Sequence, residues 1–251
     1  MVSNADSNDD SLILITRPLT EAQLLARSLR QEGYKVLIDP LLQIRSIECP
    51  FIDTRSVQAF VATSMNGIRR LAQLVSHRDI PLYTVGEISA LEAEKMGFNQ
   101  VYGAQGSITS LLQMMQENID PKAGKILYFS GQEIKGDLVN VLTQKSFDIE
   151  RLIVYEALAA QSLQSETKEA LITGRLKAIL FFSPRTSEIF VNLSSMYAQV
   201  FKNIMIVCLS SEVASPLQKF QWQQILIAPE RTGRSMVSLL TEMGTKQKEM
   251  F

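Results

Sequence analysis

The sequence predicts an α/β protein built of two parallel-sheet α/β domains. Three observations predict it. A short apolar strand, a turn holding Ser, Thr or Gly, and then an amphipathic helix recur as one unit along the 251 residues. The strands of this unit are apolar throughout, as strands covered on both faces of a parallel sheet must be. The units also correspond between the two halves of the chain, Thr16 with Ser130, Ser64 with Ser183 and Tyr83 with Ile206. One order at a slowly drifting offset indicates two related domains.

Taken in order, residues 1–11 are polar and acidic and read as a disordered tail. They lack the basic start and apolar centre of a signal peptide. The first unit is Leu12-Ile13-Leu14-Ile15-Thr16-Arg17-Pro18. Its helix carries Ala22, Leu25, Ala26 and Leu29 at i, i+3, i+4, i+7 spacing, with Thr20 and Gln23 as a capping box and Gly33 as the stop. The unit returns at 60–67, which ends Thr63-Ser64-Met65-Asn66-Gly67, and at Leu82-Tyr83-Thr84-Val85-Gly86. A helix follows the cap candidate Ser107, with Ile108, Leu111, Leu112 and Met115 on one face. The next strand is Ile126-Leu127-Tyr128-Phe129-Ser130-Gly131, and the last two run 179–184 and 206–211. Met236, Leu239, Leu240 and Met243 form a closing stripe after Ser235. All these stripes are core-facing packing surfaces, and their methionines carry no ligand role.

Two stretches break the pattern. Residues 35–44 and 151–158 are extended and β-rich. Paired as a ribbon, they make the middle of the chain one domain and its two ends the other. Periodicity leaves open a simple split near Asp120-Pro121.

Hydrophobic residues make up 46% and charged residues 20%, the balance of an ordinary soluble protein. A net charge of −1 supplies no basic field for nucleic acid or an anionic membrane, so local groups must hold any anionic ligand. The only thiol and imidazole ligands are Cys49, Cys208 and His77, in no metal-binding spacing, so no metal site is expected. The cysteines read as small buried apolar side chains in a reducing compartment. His77 reads as a residue at a helix C-terminus. No apolar run reaches the roughly 20 residues of a membrane helix, so a cytoplasmic protein is expected.

In open parallel sheets, ligands bind beyond the carboxyl ends of the strands, where helix N-termini point. The turns there hold Thr16, Thr63, Ser64, Ser130, Ser183, Ser210 and Ser211. Each is a ready seat for a carboxylate or phosphate, although Ser and Thr also cap helices for purely structural reasons. Several such turns together suggest a ligand with many anionic groups. GxGxxG, GxxxxGK[ST] and GxSxG are all absent, so dinucleotide, triphosphate and serine-hydrolase chemistry are not expected. Binding and conformational control must then carry any catalysis.

Leu14-Ile15-Thr16-Arg17-Pro18, then Gly33-Tyr34-Lys35-Val36 and Asp39-Pro40-Leu41-Leu42-Gln43-Ile44, resemble the start of uroporphyrinogen-III synthases. So do Thr63-Ser64-Met65-Asn66-Gly67, Thr84-Val85-Gly86, Val154-Tyr155-Glu156-Ala157 and Phe181-Phe182-Ser183-Pro184, and the resemblance runs from about Leu12 to Leu240. It implies a discontinuous domain of 12–38 and 159–251 and an inserted domain of 45–152, joined by a two-stranded β linker of 39–44 and 153–158, with the ligand cleft between the domains. The implied activity is a cofactor-free lyase reaction in haem biosynthesis. Hydroxymethylbilane, a linear tetrapyrrole with eight carboxylates, loses its hydroxyl to give an azafulvenium cation. It then closes through a spiro intermediate with ring D inverted. The implied protein is a monomer that receives the bilane from the upstream deaminase.

Carried over residue by residue, the resemblance places substrate contacts at Arg17, Ser64, Gly86, Ser89, Ser107, Ser130, Gly131, Ser183, Ser210 and Ser211. Tyr155 matches the family tyrosine near the hinge that assists hydroxyl loss, and reads equally as an aromatic packed in the linker ribbon. Arg17 reads as a carboxylate fork or as a surface arginine before a proline at the first helical position. The chain departs from the family at Arg231-Thr232-Gly233-Arg234 and Cys208-Leu209-Ser210-Ser211. Two other readings compete. A two-domain small-anion binding or sensor protein shares the plan, and a sugar-nucleotide enzyme shares the fold class but needs a glycine-rich loop.

Overall fold

The computed structural model describes residues 12–134 and 136–249, with side chains as far as 242, so the expected tail over 1–11 lies outside the described residues. In chain order the elements are β1 (Leu12–Ile15), α1 (Leu19–Gln31), β2 (Lys35–Ile38), β3 (Leu42–Ser46), β4 (Val57–Ala62), α2 (Met65–Leu74) and β5 (Leu82–Thr84). They continue with α3 (Glu87–Lys95), β6 (Val101–Gly103), α4 (Ile108–Asn118), β7 (Lys125–Gly131), α5 (Leu138–Gln144) and β8 (Ile149–Ala159). The rest are α6 (Ser165–Ile172), β9 (Leu176–Phe181), α7 (Pro184–Ser194), β10 (Met205–Cys208), α8 (Ser211–Ala214), β11 (Gln224–Ile227) and α9 (Gly233–Glu249).

The chain divides into two compact units. Ile44–Leu158 is inserted, and the described residues of the segments before and after it make a flanking unit. The flanking sheet runs β2-β1-β9-β10-β11, and the inserted sheet runs β8-β7-β4-β5-β6 with β3 beside β8. Both five-strand runs are parallel. Position for position, β1 stands where β7 does, β9 where β4 does and β10 where β5 does. That is the correspondence of Thr16 with Ser130, Ser64 with Ser183 and Tyr83 with Ile206 expected from the sequence.

Alternation explains why these strands are apolar throughout. Ile13, Ile15, Leu180 and Val207 pack on one face of the flanking sheet with Ala22, Leu25 and Leu29 of α1. Leu14, Ile179, Phe181 and Ile206 pack on the other with Phe190 of α7. In the inserted sheet Ala59, Val61, Ile126 and Tyr128 meet α4 and α5, whereas Phe60, Ala62, Leu127 and Phe129 meet α2. Each sheet therefore has two buried faces, and successive residues serve different ones. Cys208 lies wholly in this core, and burial pushes its thiol up to about 12. It is a small neutral apolar group, while Cys49 is only half-buried.

Several local expectations change. Thr20 is already helical: α1 starts at Leu19, Pro18 is its N-cap, and no side chain caps it. Proline's fixed φ pre-sets the first turn, and the Pro18 carbonyl already accepts the first helical bond, from Ala22 N–H at 3.0 Å. Gly33 does end the helix, at φ 86°. Ser235 lies inside α9, whose first turn is capped by Thr232 Oγ1 accepting from Ser235 N–H at 3.1 Å. His77 falls past the end of α2, where Nδ1 lies 2.9 Å from Thr54 Oγ1. The strands β6 and β11 carry no repeat signal, because short edge strands with exposed polar or glycine positions break the apolar run. Among the described residues, no helix is long and apolar enough to cross a membrane.

Candidate functional site

In an open parallel sheet the crevice opens where the strand order reverses. In the inserted unit that point lies between β7 and β4. β4 leads into Thr63 and Ser64 there, and β7 ends on Ser130 and Gly131. Ser64 is the N-cap of α2, with Oγ accepting from Gly67 N–H at 3.0 Å. On its other side this Oγ lies 2.9 Å from the Tyr155 hydroxyl. The phenol oxygen is thereby tied to a helix N-terminus, where negative charge is favoured.

Tyr155 reaches Ser64 because the β8 ladder slips by one residue. Ser130 pairs with Ile153, but the next pair is Gly131 with Tyr155, which leaves Val154 extra. Strict alternation would put Arg151, Ile153 and Tyr155 on one face. The bulge turns Tyr155 to the α2 face, where it packs against the core cluster that contains Phe60, Ile68, Phe129 and Val154. Its ring lies across Gly131. A Cβ there would stand 2.6 Å from Cζ and 2.9 Å from the hydroxyl, so only glycine seats the ring at this height. A second hydroxyl pair, Thr63 Oγ1 and Tyr128 OH at 2.8 Å, lies beside the first. Burial pushes the Tyr128 phenol up; its bond to Thr63 and the Arg151 charge offset this in part.

A cavity of about 280 Å³ opens on this cluster. Thr63, Ser64, Gly131 and Tyr155 line it together with Val85, Ile108 and Ile134, and Glu133 supplies the one carboxylate among the described lining residues. A few convergent polar groups on an apolar wall suit a ligand that must be oriented.

The other expected residues lie in several places. Gly86 is the N-cap of α3, Ser89 sits half-buried in its first turn, and neither lines this cavity. Ser107 caps α4 in a reciprocal box with Ser110, next to the lining residue Gly106. Ser130 is buried, and its hydroxyl accepts from Arg151 Nε at 2.8 Å and donates to Gly131 O at 3.1 Å. It is part of the framework under the site.

In the flanking unit the order reverses between β1 and β9. The Arg17 guanidinium stands 4.5 Å over the Phe182 ring there, a cation–π contact. Thr16 is buried and donates to Leu180 O at 2.8 Å. Ser183 caps α7 by accepting from Thr186 N–H at 3.2 Å. Ser210 donates to the Glu212 carboxylate, whose other neighbour is Arg231 at 3.4 Å. The Ser210 bond, more than Arg231, holds that exposed carboxyl below its ordinary value. Ser211 is exposed on an open depression of about 420 Å³ that also presents Glu188 and Glu212. The larger volume is the poorer seat for an anion, because two carboxylates face it.

Sequence reasoning missed Arg151 and the Thr63–Tyr128 pair. A lone arginine in an extended stretch carries no signal of its own, and the bulge that orients its neighbours leaves no mark on residue pattern.

Comparison with known proteins adds an independent line. The family model described as uroporphyrinogen-III synthase HemD matches residues 23–238. The chain is 22% identical to the porphyrin biosynthesis protein HemD of Ruminiclostridium josui, over 92% of this chain and 48% of that protein. It thus spans about half of that relative's length. It is also 22% identical to uroporphyrinogen-III synthase of Chlorobaculum parvum, over 92% of this chain and 98% of that one. Among solved structures, uroporphyrinogen-III synthetase from Helicobacter pylori superposes with a TM-score of 0.62 at 17% identity, covering 93% of this chain and 99% of that one. A mutant uroporphyrinogen III synthase from Thermus thermophilus gives 0.56 at 16%, covering 94% and 99%. At these identities the structures show a shared α/β fold.

Proposed function

The chain belongs to the uroporphyrinogen-III synthase family, and from that membership we propose that it is a lyase closing hydroxymethylbilane to uroporphyrinogen III with ring D inverted. The observation that carries the reading is the Tyr155 hydroxyl held 2.9 Å from the α2 cap Ser64, beside a cavity of about 280 Å³. Tyr155 donates its proton to the departing hydroxyl, which leaves as water. The pyrrole nitrogen supplies the electron pair, and Ser64 with the α2 N-terminus steadies the phenolate. Ring D is attacked at its substituted carbon, and the spiro intermediate fragments and recombines. The proton lost from the terminal pyrrole carbon at closure balances the one Tyr155 gave.

Loss of hydroxyl from a pyrrolylmethanol is intrinsically easy, and the free bilane closes in water without inversion. The protein's task is then to favour one fold of the chain over another. Arg17, Ser64, Gly86, Ser89, Ser107, Gly131, Ser183, Ser210 and Ser211 are the proposed carboxylate contacts, with buried Ser130 acting from beneath. The protein works in this reading as a cytoplasmic monomer on bilane handed over by the deaminase upstream.

Binding spread over many weak contacts has a testable consequence. Ser64→Ala removes the α2 cap, at about 1 kcal/mol of stability, and one partner of Tyr155. It is expected to lower turnover without abolishing it. A well-folded Ser64→Ala protein with no activity would place the catalysis in that one hydroxyl and sink the distributed account. The activity itself is tested by following loss of hydroxymethylbilane: consumption above the spontaneous rate is expected, and an unchanged rate would leave a tetrapyrrole- or anion-binding protein.

A further inference from the structure

We infer that Arg151 is a positioning residue that holds the Tyr155 hydroxyl on Ser64. The inference rests on the role proposed for Tyr155. Arg151 pairs with Tyr128 in the β7–β8 ladder, and its side chain runs toward the carboxyl end of β7. There it engages three consecutive residues: Nε donates to Ser130 Oγ at 2.8 Å, and Nη2 donates to Gly131 O and to Gln132 O, each at 2.7 Å. These residues are the seat of Tyr155. Gly131 pairs with it and lies under its ring, and Gln132 N–H donates to Tyr155 O at 2.9 Å.

The geometry has a reason. After Gly131 the strand ends, and the slip at Val154 leaves the last rung of the ladder to define where Tyr155 points. A rung at a strand end beside a bulge is weakly fixed by backbone bonds alone. One edge of a planar guanidinium spans the hydroxyl and both carbonyls at once and locks their relative positions. A lysine keeps the charge but meets such acceptors as a point donor, without the fork. Each of these three bonds of Arg151 goes to the protein's own framework, so it acts through Tyr155 and does not grip the bilane.

A double-mutant cycle tests this. Arg151→Met and Arg151→Lys are each made in the parent and in Tyr155→Phe, and all are assayed with hydroxymethylbilane for the rate of uroporphyrinogen III formation. In the parent, either change is expected to lower kcat about tenfold with KM nearly unchanged. In Tyr155→Phe the same change is expected to cost less than about twofold, because the hydroxyl it positions is gone. Circular dichroism and the thermal midpoint report folding, and Arg151→Lys supplies the cycle where Arg151→Met does not fold. Equal losses in both backgrounds would overturn the positioning role and leave the Tyr155 reading standing. Full turnover by Tyr155→Phe alone would remove both.

Discussion

Tyr155→Phe is expected to lower turnover about 100-fold, the lower end of what a positioned proton donor contributes. The fold should hardly notice. The substitution removes one half-buried hydroxyl bonded to Ser64 at 2.9 Å, worth about 1 kcal/mol. For a chain of this size that is a fall of about 2–4 °C in the thermal midpoint. The ring still fills its place against the core cluster on the α2 face. The loss should therefore appear in kcat, with KM little changed, since the proposed mechanism has the phenol act on the departing hydroxyl. Steady-state rates with hydroxymethylbilane, beside a melting curve, make the check. Unchanged kcat would return Tyr155 to the role of a packed linker aromatic.

Gly131→Ala is the second large effect, and it is steric. The new Cβ would lie 2.6 Å from Cζ of Tyr155, far inside contact distance. Either the ring swings off Ser64 or the strand end moves, and overpacking of this kind costs about 1–3 kcal/mol. Turnover should fall at least as far as in Tyr155→Phe. The companion variant separates the causes: with Tyr155→Ala the ring is absent, and adding Gly131→Ala should cost almost nothing further in stability. A Gly131→Ala protein with full activity and an unchanged melting point would mean that the ring does not lie where it is placed.

How far the sequence announces this depends on the kind of interaction. The strands β1, β4, β5, β7, β9 and β10 are legible because each is buried on both faces and reads as one apolar run. Edge strands such as β6, with Tyr102 exposed, obey no such rule. Ser64, Ser107 and Ser183 are legible as caps because a cap is a local relation over three residues. The start of α1 lies ahead of the Thr20 that the pattern offers as a cap, because a sequence that fits a capping box does not say whether the preceding proline has already begun the helix.

The meeting of Ser64 with Tyr155 lies at the other extreme. It joins residues 91 apart and depends on a one-residue slip at Val154. Alternation along 151–155 predicts the wrong face for the phenol, and nothing in Leu152-Ile153-Val154 marks the slip. Arg151 is hidden because its three partners lie at the end of a neighbouring strand, 19 to 21 residues away in the chain.

The central claim is that this chain directs the bilane to the inverted ring, and the identity of the product tests it most directly. Porphobilinogen, a deaminase to form hydroxymethylbilane and this protein are incubated together, and the products are oxidised and separated as uroporphyrin isomers. Dominant isomer III is the expected result. Isomer I alone, from protein shown to be folded, would contradict the account.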